Sequence, residues 1–176
     1  MMRIRTIIFL ALTMLVLAAC GGEDTSQSEG SLSTNDIKDL VNDYTVDNLE
    51  PDSASITSHE LVVEEDNEEL VYELPEEEFF VSIAPFINET HECAVHSLTG
   101  CQGELVEEDF DVLVTDSSGE VVVDETMTTE KNGFIDLWLP RDETFVVEMT
   151  QGSRTTEAKI STFEGDKTCI TTMQLK

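Results

Sequence analysis

Two of the four cysteines and two of the three histidines of this 176-residue chain fall within residues 91–101, in the order His91, Cys93, His96, Cys101. A third cysteine, Cys169, lies near the C-terminus. Thiolates and imidazoles are the soft and borderline donors that select Cu(I), Zn and iron–sulfur centres over Mg or Ca, so the cluster points to soft-metal or redox chemistry. Gly100 and Gly103 give the loop a backbone able to turn its side chains inward. The thiolates of Cys93, Cys101 and Cys169 with the imidazole of His96 form a donor set that suits Cu(I) well and Zn adequately. The same thiols can donate electrons. Two cysteines passing to a disulfide release two electrons, enough to reduce two Cu(II) ions.

A second reading stands beside the metal site. Exported proteins favour disulfides, and a Cys93–Cys101 bond closing the loop, with Cys169 an inert buried thiol, describes a stapled adhesion or scaffold protein. A thiol-disulfide oxidoreductase is a third reading, without the close Cys-x-x-Cys spacing that such enzymes carry. His91 is open between a local hydrogen-bonding role and a ligand, and His59, between Ser58 and Glu60, reads as an exposed side chain. No nucleophile–base–orienter set, phosphate-cradling glycine loop or zinc-protease helix motif is present in the sequence.

The N-terminus reads as an export signal over residues 1–19: Arg3 and Arg5, an apolar run over residues 7–17, then Leu17-Ala18-Ala19-Cys20. That ending is a lipobox, which predicts cleavage before Cys20, a lipid anchor on Cys20 and a flexible tether over residues 20–33. The apolar run is too short to span a membrane. The expected location is the periplasm or the outer face of the cytoplasmic membrane. Four cysteines less the lipidated one leave an odd number, so at least one thiol lies outside any intramolecular disulfide.

Without residues 1–19 the chain keeps 157 residues, 7 basic against 38 acidic, a formal charge of −31. Nucleic acid is excluded as a partner for such a surface. The acidic runs at residues 64–69 and 76–78 read as solvated turns and strand faces, whose field also concentrates cations near the cluster.

The elements that must hold the cluster in place are mostly strands. Ser33 as a capping residue, with Ile37, Leu40, Val41 and Tyr44 at three-to-four spacing, predicts one short amphipathic helix within a helical segment over residues 34–52. Residues 53–176 read as a single β-rich domain with runs at 55–64, 69–74, 79–86, 111–115, 120–124, 134–139, 145–150, 155–163 and 169–175. Between them lie turn sequences such as Asp66-Asn67, Ser118-Gly119, Asn132-Gly133, Gln151-Gly152 and Gly165-Asp166. Mainly β, an antiparallel sandwich or barrel-like domain preceded by a short N-terminal helix, is the fold class expected. Phe134, Trp138, Leu139, Phe145 and Met173 read as core.

The sequence resembles the CueP family of bacterial periplasmic copper-binding proteins. The resemblance runs over roughly residues 53–176 and is carried by Ser53-Ala54-Ser55-Ile56-Thr57-Ser58, Ile83-Ala84-Pro85-Phe86-Ile87, and Thr90-His91-Glu92-Cys93. It continues through His96-Ser97-Leu98-Thr99-Gly100-Cys101-Gln102-Gly103-Glu104, Asn132-Gly133-Phe134, Trp138-Leu139-Pro140-Arg141 and Thr168-Cys169-Ile170-Thr171-Thr172. It implies a copper-resistance protein in which Cys93, Cys101 and Cys169 bind copper and reduce Cu(II), with His96 a further ligand. It also implies exported cuproproteins and disulfide-exchange proteins as partners. The lipobox and the strongly acidic surface set this chain apart from the family pattern.

Overall fold

The structure, a computed structural model, describes residues 28–29 and 32–176. The export signal, Cys20 and most of the tether lie outside the described residues. Helix α1 (Thr34–Thr45) starts where the sequence predicts. The Ser33 hydroxyl accepts from the Asp36 backbone N–H while the Asp36 carboxylate accepts from the Ser33 N–H, a reciprocal cap that also sets a negative charge at the positive end of the helix. Its buried stripe, Ile37, Val41 and Tyr44, packs with Ala54, Ile56, Leu61, Val63, Phe80 and Leu98.

Among the described residues twelve strands, three of them (28–29, 96–97 and 169–170) only two residues long, form three sheets, none closed into a barrel. The first has the order β1 (Ser28–Glu29), β4 (Glu68–Glu73), β3 (Glu60–Glu65), β2 (Ser53–Ile56), β6 (His96–Ser97). The second has the order β11 (Arg154–Ser161), β10 (Thr144–Gln151), β7 (Asp109–Thr115), β8 (Val121–Thr128). The third, β12 (Cys169–Ile170), β5 (Glu78–Ile83), β9 (Ile135–Pro140), is the middle layer. Strand periodicity makes it so. Phe79, Val81 and Ile83 of β5 face one core with Val112, Val147 and Met149 of the second sheet, while Phe80 between them faces the other core with helix α1 and the first sheet. With both faces covered, β5 reads as a nearly continuous apolar run.

Several bounds differ from those expected: helix α1 ends at Thr45 rather than filling 34–52, the run at 79–86 ends as a strand at Ile83, that at 120–124 continues to Thr128, and that at 169–175 is a strand only over Cys169–Ile170. The run at 55–64 is not one strand but the β2–β3 hairpin, because the Thr57 hydroxyl accepts from the N–H groups of His59 and Glu60 and makes the turn without glycine or proline. The sheets are also not wholly antiparallel: β12 runs parallel to β5, pairing Cys169 with Ser82 and Ile170 with Ile83. Phe134, Leu139, Phe145 and Met173 are buried as expected, and Trp138 is partly buried under the Lys38 ammonium, 5.3 Å from its ring centre.

Candidate metal centre

The cluster is built on β6, a strand only two residues long. Ser97 and His96 pair with Ser55 and Ile56 of β2, the Leu98 N–H donates to the Ala54 carbonyl, and a turn then brings the Cys101 N–H onto the Ser97 carbonyl at 3.1 Å. This turn aims Cys101 back toward Cys93. The chain after it is pinned by a close backbone approach: the Gly103 N–H donates to the Asn132 carbonyl at 2.7 Å, and a Cβ on Gly103 would stand 2.5 Å from the Gly133 carbonyl oxygen. Only glycine fits there.

Cys169 arrives from the far end of the chain along β5. The Ser82 N–H donates to the Thr168 carbonyl, and the Thr168 hydroxyl, buried, donates to the Ile56 carbonyl at 2.6 Å and accepts from the His96 N–H at 3.0 Å. The N–H groups of Thr168 and Cys169 both donate to the Ala94 carbonyl, at 3.0 and 3.3 Å. The Thr90 hydroxyl reaches the Thr171 carbonyl at 2.7 Å. Residues 90–96 are thereby stitched to residues 168–171, and the 67 residues between Cys101 and Cys169 in sequence vanish as a spatial separation.

Four donors meet at this seam. One nitrogen of His91 and the sulfurs of Cys93, Cys101 and Cys169 all lie within 4.8 Å of one another. Cys93 and Cys169 are joined in a disulfide with Cα atoms 5.5 Å apart, and the Cys101 sulfur is a free thiol 3.6 Å from that of Cys93. The staple considered from the sequence, Cys93–Cys101 with Cys169 inert, is therefore not the pairing formed: the seam brings Cys169 onto Cys93, and Cys101 is the thiol left over. Cys169 is 1% exposed and packs with Ala84 and Phe134, whereas Cys93 and Cys101 are partly open to solvent. An open cleft of ≈730 Å³ adjoins Cys93, with His91, Glu92, Phe86, Lys167 and Thr172 in its walls.

The two histidines occupy different places. His91 is exposed at the mouth, its ring centre 6.4 Å from that of Phe134. His96 is 0% exposed, its ring tilted against that of Phe134 with centres 4.6 Å apart and 6.2 Å from that of Phe80, and lies outside the group of four close donors. Neither of its ring nitrogens has a hydrogen-bond partner. Burial first, and the charge of His91 second, lower its pKa to about 4, so the ring is neutral and holds free lone-pair capacity at neutral pH. His59 is exposed and distant from the cluster in role, its Nδ1 2.7 Å from the Ser58 hydroxyl.

Glu104, a residue given no role from the sequence, holds the entrance. Its carboxylate accepts from the backbone N–H groups of Ile87 (2.6 Å), Asn88 (2.9 Å) and Glu89 (3.3 Å), the run leading into His91. Those N–H groups, Asn88 first, hold its pKa down at about 2. Its place three residues after Cys101 gives no hint of this in the sequence, since a carboxylate that satisfies a bare loop looks like any other surface acid. Asp136 lies deeper, on β9 beside Ser82: burial pushes its pKa up to about 6 against hydrogen bonds from Ser82 (2.5 Å) and Thr45 (2.9 Å). It ties helix α1 to the middle sheet that carries Cys169.

The sequence profile of the family described as periplasmic copper-binding protein CueP matches residues 36–174. A solved structure titled "Crystal Structure of S.CueP" is similar with 37% sequence identity and a TM-score of 0.76, over 80% of this chain and 89% of that one. No curated protein sequence matches significantly. A profile match over residues 36–174, and a structural match at 37% identity over 80% of the chain, place this chain in the CueP family of periplasmic copper-binding proteins.

Proposed function

We propose that the chain is an exported copper-resistance protein, lipid-anchored at Cys20, that takes up Cu(II), reduces it with its own thiols and retains Cu(I) on the thiolates of Cys93, Cys101 and Cys169. The observation that carries this reading is the convergence of three sulfurs and an imidazole within 4.8 Å from segments 68 residues apart. His91, at the solvent mouth, is the first nitrogen an incoming ion meets, and imidazole accepts Cu(II) readily. His96 supplies a ligand from beneath. A buried ring with two unpartnered nitrogens costs stability that coordination through one of them recovers, which supports its place in the copper-loaded site.

The redox arithmetic is simple. Oxidation of one thiol pair yields the disulfide and two electrons, reduces two Cu(II) ions and leaves one sulfur and the imidazoles for one Cu(I); full three-sulfur ligation needs the disulfide reduced. Exported cuproproteins as receivers of Cu(I), and thiol-disulfide exchange proteins as the source of electrons, are the partners this cycle requires. The test is to mix fully reduced protein with Cu(II) and count Cu(I) and remaining thiols together. Two Cu(I) per disulfide formed supports the reading; unchanged thiols would leave it without a donor.

The adhesion or scaffold alternative is supported only by the presence of a disulfide. It offers no account of the third thiol beside it.

A further inference from the structure

The three sulfurs are not equivalent. Cys169 is 1% exposed, so a thiol from outside has no direct approach to it, yet it carries half of the disulfide. Cys101 has a free thiol at the partly open surface, 3.6 Å from the Cys93 sulfur and held at 3.4 Å by the Ser97 N–H. A thiol in van der Waals contact with a disulfide is within one side-chain rotation of exchange, and Cys93 is the more accessible of the two sulfurs it could attack.

We propose that the disulfide migrates within the cluster, from the buried pair Cys93–Cys169 to the surface pair Cys93–Cys101, and that this relay is the route by which electrons reach Cys169. The thiolate of Cys101 attacks the Cys93 sulfur; the Cys93–Cys101 bond forms as the Cys93–Cys169 bond breaks. Cys169 departs as a thiolate and takes up the proton that Cys101 gave up. No electron enters or leaves, so the step needs no further reactant. An external thiol then attacks the surface disulfide, and a second thiol completes its reduction, returning three free thiols.

Attack runs along the S–S axis. With an S–S bond of about 2.05 Å, an in-line Cys101 would stand about 5.6 Å from the Cys169 sulfur, beyond the 4.8 Å that bounds the cluster. The Cys101 side chain must therefore turn about its Cα–Cβ bond before reacting. The roles follow: Cys101 is the nucleophile and the contact for outside thiols, Cys93 is the sulfur common to both disulfides, and Cys169 is the buried sulfur that no partner has to touch.

The relay rests on the copper reading for its purpose, but it is tested without copper. Full chain carrying Cys20→Ala, oxidised to one disulfide, is unfolded at pH 5 in the presence of N-ethylmaleimide, which marks only free thiols, and the marked cysteine is located by fragment-ion sequencing. The relay predicts molecules marked at Cys101 and molecules marked at Cys169, with Cys93 unmarked. It also predicts that glutathione reduces the disulfide of a Cys101→Ser variant at least tenfold more slowly than that of the parent. Marking confined to Cys101, marking at Cys93, or equal reduction rates would each overturn it. The mapping uses the parent, so a variant that misfolds does not remove the test. A chain that exchanges its disulfide but binds no copper would overturn the copper reading and leave the relay standing.

Discussion

The Cys101 thiol lies 3.6 Å from the sulfur of Cys93, which is itself bonded to Cys169 across 76 residues of chain. This contact between a thiol and a disulfide is the arrangement on which the proposed reduction and the proposed relay both rest. The disulfide also has a structural side. Closing a loop of this length removes roughly 4 kcal/mol of chain entropy from the unfolded state, so the reduced form is the less stable one, and under the proposed function copper held by its thiols would offset part of that loss.

Both histidines should support Cu(I) affinity, but only His96 should cost stability. His91→Ala removes an exposed ring and should leave stability within about 0.5 kcal/mol of the parent while weakening Cu(I) binding about tenfold, or about 1.4 kcal/mol. His96→Leu removes two unpartnered buried nitrogens, so it should raise the stability of the copper-free protein by about 1–3 kcal/mol and still weaken Cu(I) binding. Denaturant titration and chelator competition on the same samples check both. Undiminished affinity in His96→Leu would remove it from the ligand set.

Stability should vary little with pH between about 4 and 6, because two buried groups oppose each other. His96, with its pKa lowered to about 4, binds fewer protons folded than unfolded, so its contribution is present above its usual pKa and is lost as pH falls toward 4. Asp136, raised to about 6, binds more protons folded, so its contribution is present at low pH and is lost as pH rises through about 6. Asp136→Asn should unmask the His96 dependence, giving stability that climbs with pH across that window. Unfolding free energies of parent and variant at a series of pH values decide the point; parallel curves would remove Asp136 from the account. Below pH 4 the loss should steepen as Glu104 is protonated and releases the N–H groups of residues 87–89.

Gly103→Ala should destabilise the fold by about 1–3 kcal/mol, since its methyl would meet the Gly133 carbonyl at 2.5 Å and must push the Cys101 turn away. Copper retention should fall with it. An Ala variant with parental stability and parental copper binding would mean that this contact does not hold the cluster.

The anchor prediction rests on Leu17-Ala18-Ala19-Cys20. Labelled fatty acid should appear on the chain in cells, and Cys20→Ala should move the protein from the membrane fraction to the soluble exported fraction. A parent that takes no label would make the chain a soluble exported protein.

Much of this architecture was legible in the residues. The helix was readable because Ser33 and the spacing of Ile37, Val41 and Tyr44 act locally, and most strands were readable because period-two burial and left-handed turns such as Asp66-Asn67, with φ of 54° and 64°, leave local marks. The expectation that the chain brings Cys169 beside Cys93 came from the residue types and the family resemblance. What could not be read was long-range. A strand as short as His96–Ser97 has no pattern of its own and exists because β2 offers it an edge. The parallel seating of β12 against β5 depends on the whole middle layer, and with it the choice of Cys169 over Cys101 as the partner of Cys93. Which histidine stands among the sulfurs was equally hidden, because His91 and His96 differ by a loop path rather than by spacing.

The account's central claim is that reduced Cys93, Cys101 and Cys169 together hold Cu(I). Competition with a Cu(I)-specific chelator under anaerobic conditions, run on the fully reduced chain and on the chain with its Cys93–Cys169 disulfide intact, tests it most directly. The account predicts one Cu(I) per reduced chain, bound at least a hundredfold more tightly than by the disulfide form. Equal affinity in the two forms, or no Cu(I) retained by the reduced chain, would contradict it.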